Sequence, residues 1–137
     1  MSQENIKYGM QRSLSQPFED VLKRTREALQ KAGFGVLFEI DMKAKLHEKL
    51  GVDFGKYIIL GACNPPIAYE ALQSEIALGL LLPCNVAVYE HEGKTLVAAI
   101  DAAKMMSIVE NPKLIASAAI INEKLNSMLD DVSADGL

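Results

Sequence analysis

From Asn5 to Arg12 apolar and polar residues alternate, with Ile6, Tyr8 and Met10 on one side of the chain, which is the period of a half-buried strand. Ser15 and Pro17 then open a helix. Its first turn carries Glu19 and Asp20, Phe18, Val21, Leu22, Thr25 and Leu29 form one apolar stripe, and Gly33 follows its end, as helix-start and helix-stop chemistry requires. Gly35 to Met42 holds the β-branched and aromatic run Val36-Leu37-Phe38-Glu39-Ile40, which suits a strand packed against that helix. Asp41 can cap a short helix through Leu50, closed by Gly51, with Met42, Leu46 and Leu50 four residues apart. Tyr57-Ile58-Ile59-Leu60 has no polar alternation at all and reads as a buried strand running into Cys63.

Asn64 and Pro65 are suited to the cap and first position of a helix, predicted to reach about Leu80 with Ile67, Leu72, Ile76 and Leu80 as its stripe. Pro83 stops it. Asn85 to Glu90 pairs with Lys94 to Ile100 as a hairpin turning at Glu90-His91-Glu92-Gly93. Asp101 can cap a helix over Ala102 to Val109. Asn111-Pro112 restarts it as a long helix with Leu114, Ala118, Ile121, Leu125 and Met128 on one face, and residues from Ser133 to Leu137 are expected to fray. The order β-α-β-(short α)-β-α-β-β-α predicts an α+β protein of two layers, a largely antiparallel sheet with helices covering one face.

Length and composition narrow the classes. The 137 residues, 50% hydrophobic, make one domain, residues 1–137, large enough to bury roughly two-thirds of the unfolded surface around one core. A net charge of -4 with 14 basic residues dispersed along the chain argues against a phosphate-binding surface, so no nucleic-acid partner is expected. The polar, acidic start Met1-Ser2-Gln3-Glu4-Asn5 lacks the basic and apolar regions of a secretory signal. The longest apolar stretch, Ile76 to Val88, is interrupted by Gly79, Pro83 and Asn85 and falls short of the roughly 20 residues that span a bilayer. A cytoplasmic protein without membrane contact is therefore expected, with its two cysteines as free thiols.

Those cysteines, Cys63 and Cys84, each precede an asparagine at a junction between an extended run and a helix. Cys63 sits one residue before the cap Asn64, where unpaired N–H groups and the helix dipole favour an anion, so a lowered thiol pKa is one reading. The other is a small apolar residue in the core. Whether Cys63-Asn64 and Cys84-Asn85 can share a pocket depends on strand direction. Parallel strands would separate the sulfurs by on the order of 20 Å, whereas antiparallel strands bring them together, and connection length alone favours the parallel crossover.

Two thiols do not complete a structural zinc site. Glu39, Asp41, His47 and Asp101 are the remaining donors, but no local spacing joins them. His47 and His91 suit exposed elements, so no base is evident for a cysteine nucleophile. There is no Cys-x-x-Cys and no Gly-x-Gly-x-x-Gly. No catalytic residue, cofactor or particular metal is assigned.

Tyr57-Ile58-Ile59-Leu60-Gly61-Ala62-Cys63-Asn64-Pro65-Pro66, Leu82-Pro83-Cys84-Asn85-Val86-Ala87-Val88-Tyr89-Glu90 and Val97-Ala98-Ala99-Ile100-Asp101 together resemble the bacterial and archaeal family known as domain of unknown function 302. The resemblance spans nearly the whole chain. It implies a curved antiparallel sheet similar to the TATA-box-binding-protein-like class, the antiparallel arrangement of the two Cys-Asn segments, and a homodimer. It supplies no reaction, cofactor or substrate.

Three functions follow as expectations. The first is a homodimeric binding module for a small molecule or soft metal ion, its pocket rim formed by Cys63, Asn64, Cys84 and Asn85, with Asp101 and Glu39 as further candidates. The second is a thiol redox carrier or enzyme in which Cys63 attacks and Cys84 resolves. The third is an interaction protein without a small ligand, using the sheet or the helix over residues 112–130 as its contact surface.

Overall fold

The computed structural model describes residues 2–134. The chain opens with a hairpin, β1 (Ser2–Ile6) and β2 (Gly9–Leu14), followed by helix α1 (Phe18–Lys31) and strand β3 (Gly35–Asp41). Helix α2 (Met42–Leu50) leads to β4 (Tyr57–Cys63), then α3 (Pro65–Ser74) and a 3-10 segment, Ile76–Leu81. The hairpin β5 (Cys84–His91) and β6 (Lys94–Ile100) precedes α4 (Ala102–Ser107), a 3-10 turn at Pro112–Leu114 and α5 (Ile115–Ala134). All neighbours in the six-stranded sheet are antiparallel, in the order β1-β2-β6-β5-β4-β3, and the helices pack on one face, as the α+β reading expected.

Four differences from the sequence expectations have physical causes. The alternation over residues 5–12 is broken by a turn at Lys7-Tyr8, so it belongs to two strands rather than one. The helix from Pro65 ends at Ser74, because Glu75 takes up extended backbone. The tail of its expected stripe therefore faces solvent, with Ile76 86% and Leu80 88% exposed. Helix α2 has its cap bond from Ala44 N–H to the Asp41 carboxylate and its left-handed Gly51, yet buries none of its residues. Finally, Ser133 does not fray. It is buried within α5 and donates to the Leu129 carbonyl, while residues 135–137 lie outside the described residues.

The core lies between the sheet and the helices. The α1 stripe Phe18, Val21, Leu22, Thr25 and Leu29 is buried throughout, against Leu60, Val86, Val88 and Val97 from the strands and Leu125, Met128 and Leu129 from α5. Each such aliphatic side chain contributes about 1.5–3 kcal/mol by leaving water. Arg12 lies on this same face with its charge answered by Asp130 of α5 at 2.9 Å, which ties β2 to the last helix. Gly33, at φ +94, turns the chain out of α1 so that Phe34 N–H reaches the Leu29 carbonyl, a conformation that favours glycine.

On the opposite face the register places Phe38 beside Gly61, where an added Cβ would meet the phenyl ring at 2.5 Å. Strand alternation puts Tyr57 and Ile59 of β4, Ala87 and Tyr89 of β5, and Ala98 and Ile100 of β6 on this side too. Tyr57 stacks on Tyr89 with ring centroids 4.9 Å apart, and the Tyr89 hydroxyl donates to the Gln11 side-chain carbonyl. Helices α1 and α5 do not cover these residues.

Candidate functional site

Antiparallel pairing of β4 with β5 sets Ala62 directly opposite Cys84, which decides the open question of strand direction. The two Cys-Asn segments meet at one end of the sheet. Cys63, Asn64 and Cys84 all border a cavity of about 30 Å³, enclosed by Phe34, Ile67 and residues of α4 and α5. Its walls are almost wholly apolar. A space of that size holds no more than about one water, and an apolar one stays dry.

Each segment reaches this corner differently. Asn64 caps α3, its side-chain carbonyl accepting from Ile67 N–H at 3.2 Å while its amide donates to the Gly33 carbonyl at 3.2 Å. The asparagine thus bolts the start of α3 to the turn after α1. Cys84 is buried on the helix side, whereas Cys63, one residue beyond Ala62, is directed by strand alternation toward the other side and is only half-buried. Both residues border one cavity, near enough for Cys63 to bear on the Cys84 thiol.

The thiols are not activated. Burial pushes the Cys63 thiol up from its ordinary value, opposite to the reading of a thiol activated by the helix terminus and in keeping with that of a small apolar residue. Burial, aided by the nearby Cys63, pushes Cys84 up to about 11. Desolvation outweighs the dipole here because the neutral thiol is the form an apolar wall tolerates.

The other candidates lie apart. Asn85 points to the uncovered face, in a shallow concavity with Tyr8, Tyr57, Tyr89 and Ile100. Asp101 caps α4, accepting from Lys104 N–H at 3.1 Å and from the Asn122 amide at 2.9 Å. Burial acts to raise its pKa, but these hydrogen bonds prevail and hold the carboxyl below its usual value. Glu39 stands at the sheet edge, bridged by Arg26 of α1 through two bonds of 2.5 and 2.8 Å, and that hydrogen bonding holds its carboxyl low. Of the expected rim, Cys63, Asn64 and Cys84 border the cavity, while Asn85 and the further candidates Asp101 and Glu39 lie away from it. Among the described residues no group of three or more His, Cys, Asp or Glu side chains is placed to hold a metal ion.

Sequence reasoning missed the aromatic set Phe38, Tyr57 and Tyr89. Its signal was present in Tyr57-Ile58-Ile59-Leu60, since a strand that is apolar at every position needs a cover on both faces.

Among the described residues no helix is long and apolar enough to cross a membrane. No functionally curated protein matches the chain. The crystal structure of an uncharacterised conserved DUF302 protein from Bacillus stearothermophilus is similar at a TM-score of 0.86 and 30% sequence identity, covering 93% of this chain and 99% of that one. The family model for the domain of unknown function DUF302 matches residues 10–132. With the model and a solved relative agreeing over nearly the whole fold, the chain belongs to the DUF302 family.

Proposed function

We propose that this protein is a homodimeric interaction module whose subunits meet through the uncovered face of the sheet. One observation carries the reading. Strand β4 is apolar on both sides, yet only the side bearing Leu60 and Ala62 is sealed by helices, leaving Tyr57, Ile59 and the flanking Phe38 uncovered. Six strands spaced about 4.8 Å and about six residues long make a face of roughly 500 Å², of the order of the ~800 Å² that each partner buries in a standard interface. A second copy offers the same apolar surface and closes the pair about a two-fold axis.

Sedimentation tests it. The wild type should run at twice the 15.0 kDa chain mass, and Ala98→Arg, which sets a charge at the centre of the face without entering the core, should run as a folded monomer. A wild type that stays monomeric at high micromolar concentration, or an Ala98→Arg protein that still dimerises, overturns the proposal.

A second reading is favoured by the convergence of Cys63, Asn64 and Cys84 on one cavity. In that case the corner binds a small neutral ligand or a soft metal ion through the paired thiols, or exchanges a disulfide between them, within a cytoplasmic setting that keeps them reduced. Retained mass in native mass spectrometry, lost on Cys84→Ala, supports the ligand. The small cavity and the raised thiol pKa values weigh against it.

A further inference from the structure

The end of the molecule where α4 gives way to α5 holds a second, larger space. An open cleft of about 350 Å³ is lined by Ala103 and Met106 of α4, Glu110 of the connecting loop, Leu114 of the 3-10 turn, and Ile115 and Ala118 at the start of α5. Its volume falls within the roughly 300–1,000 Å³ typical of small-molecule sites, unlike the cavity beside the cysteines. Ile115 in its wall is 70% exposed. An apolar hollow with an uncovered isoleucine in its wall is suited to a hydrocarbon group.

The polar groups around it are mostly occupied. Ser107 donates its hydroxyl to the Lys104 carbonyl at 2.6 Å. Asn111 accepts from Lys113 N–H and donates to the Glu75 carboxylate and the Ser74 carbonyl. The exception is Glu110, whose exposed carboxylate takes part in no ion pair among the described residues. Its backbone stands at φ 58, a left-handed conformation that a glutamate adopts at a cost and that glycine or asparagine would adopt more readily. The mouth of the cleft carries the exposed Glu110 carboxylate above an apolar floor.

We infer that this cleft binds a small amphipathic cation, with a short alkyl chain laid between α4 and α5 and an ammonium or guanidinium head against Glu110. The site lies on the helix layer and is independent of the proposed sheet-face interface. The same three residues, Met106, Leu114 and Ala118, line both this cleft and the cavity at Cys63 and Cys84. Of these, Met106 is the unbranched, readily displaced one. It forms a movable partition that limits chain length.

Calorimetric titration with n-alkylammonium ions from propyl to octyl, and with alcohols and carboxylates of equal length, tests the inference. Hexylammonium should bind about five-fold more tightly than hexanol, as expected of one exposed charge pair, and hexanoate most weakly. Glu110→Gln should erase the preference for the cation while leaving alcohol affinity unchanged. Ala103→Phe, a change at an exposed position, should fill the cleft and abolish binding with the circular dichroism spectrum intact. Met106→Ala should shift the preferred chain to longer members of the series. Equal affinity for hexylammonium and hexanol, a Glu110→Gln protein that keeps the preference, or no binding by any member overturns the inference.

Discussion

The two Cys-Asn dipeptides share a sequence and a corner of the fold, yet they do opposite things. At Cys63-Asn64 the thiol is only half-buried and the asparagine is structural, holding α3 to the turn after α1. At Cys84-Asn85 the thiol is buried and the asparagine looks out over the uncovered face. The inversion follows from register. Ala62 opposes Cys84, so Cys84 shares the buried side with Ala62 while Cys63 and Asn85 alternate away. An identical dipeptide thus carries no fixed role; its position along the pleat decides which member is structural.

The largest expected effect separates the thiols. With its pKa pushed up to about 11 and its side chain buried, Cys84 should alkylate at least about a hundred-fold more slowly in the folded protein than in urea-unfolded protein. Cys63 should show a smaller slowing, because it is only half-buried. Peptide mass spectrometry at several pH values reads both sites in one experiment. If Cys84 reacts first, the inversion described above is wrong.

Oxidation sharpens the same contrast. Across the antiparallel pair the two Cα atoms lie roughly 6 Å apart, within the span of a disulfide, but the register sets Cys63 one residue past the position opposite Cys84, where strand alternation turns the side chains to different faces. Mild oxidant should leave the folded protein without a Cys63–Cys84 bond, as seen by non-reducing peptide mapping. Rapid, reversible bond formation would instead restore the redox-carrier reading.

The asparagines differ by less. Asn64→Ala removes a cap and an inter-element bond and should cost about 1–2 kcal/mol in urea denaturation. Asn85→Ala, on an exposed strand position, should stay within about 0.5 kcal/mol of the wild type. Equal losses would mean that Asn85 carries an interaction in solution, and the uncovered face would be its natural location.

Much of this was legible in the chain, and the failures are informative. The α1 stripe, the Asp41, Asn64 and Asp101 caps, the β5–β6 hairpin and the buried face of α5 all rest on local rules, and each appears where those rules place it. The Lys7-Tyr8 turn was missed because a two-residue reversal without glycine at its centre barely interrupts alternation. Ile76 and Leu80 were assigned to the core because periodicity reads a stripe straight through Glu75, where the backbone in fact leaves the helix. Adjacency of the two cysteines hung on one long-range fact, the direction of β5 against β4, which composition and spacing leave open. The scattering of Glu39, Asn85 and Asp101 likewise follows from sheet register rather than from any local pattern.

The smallest effect compares the two caps at this end of the molecule, neutral Asn64 on α3 and charged Asp101 on α4. Hydrogen bonds from Asn122 and the Lys104 N–H, prevailing over burial, hold the Asp101 carboxyl below its usual value. A group with a lowered folded-state pKa stabilises the protein fully above its unfolded value, and that contribution is lost as pH falls through the folded one. Asp101→Asn keeps a good capping residue, so stability at neutral pH should change little. The acid limb of a stability-against-pH curve should become shallower, by less than ~1 kcal/mol because the site is partly solvated. Glu39, held low by Arg26, will retain its own share of that limb, so the slope should diminish without vanishing. Asn64→Asp adds a charged cap to α3 but loses the amide that donates to the Gly33 carbonyl and sets a carboxylate against it, so any new loss of stability in acid should be smaller than the one removed at Asp101. If neither substitution alters the limb, both caps act through geometry alone, and the difference in charge between the two helix starts has no energetic consequence.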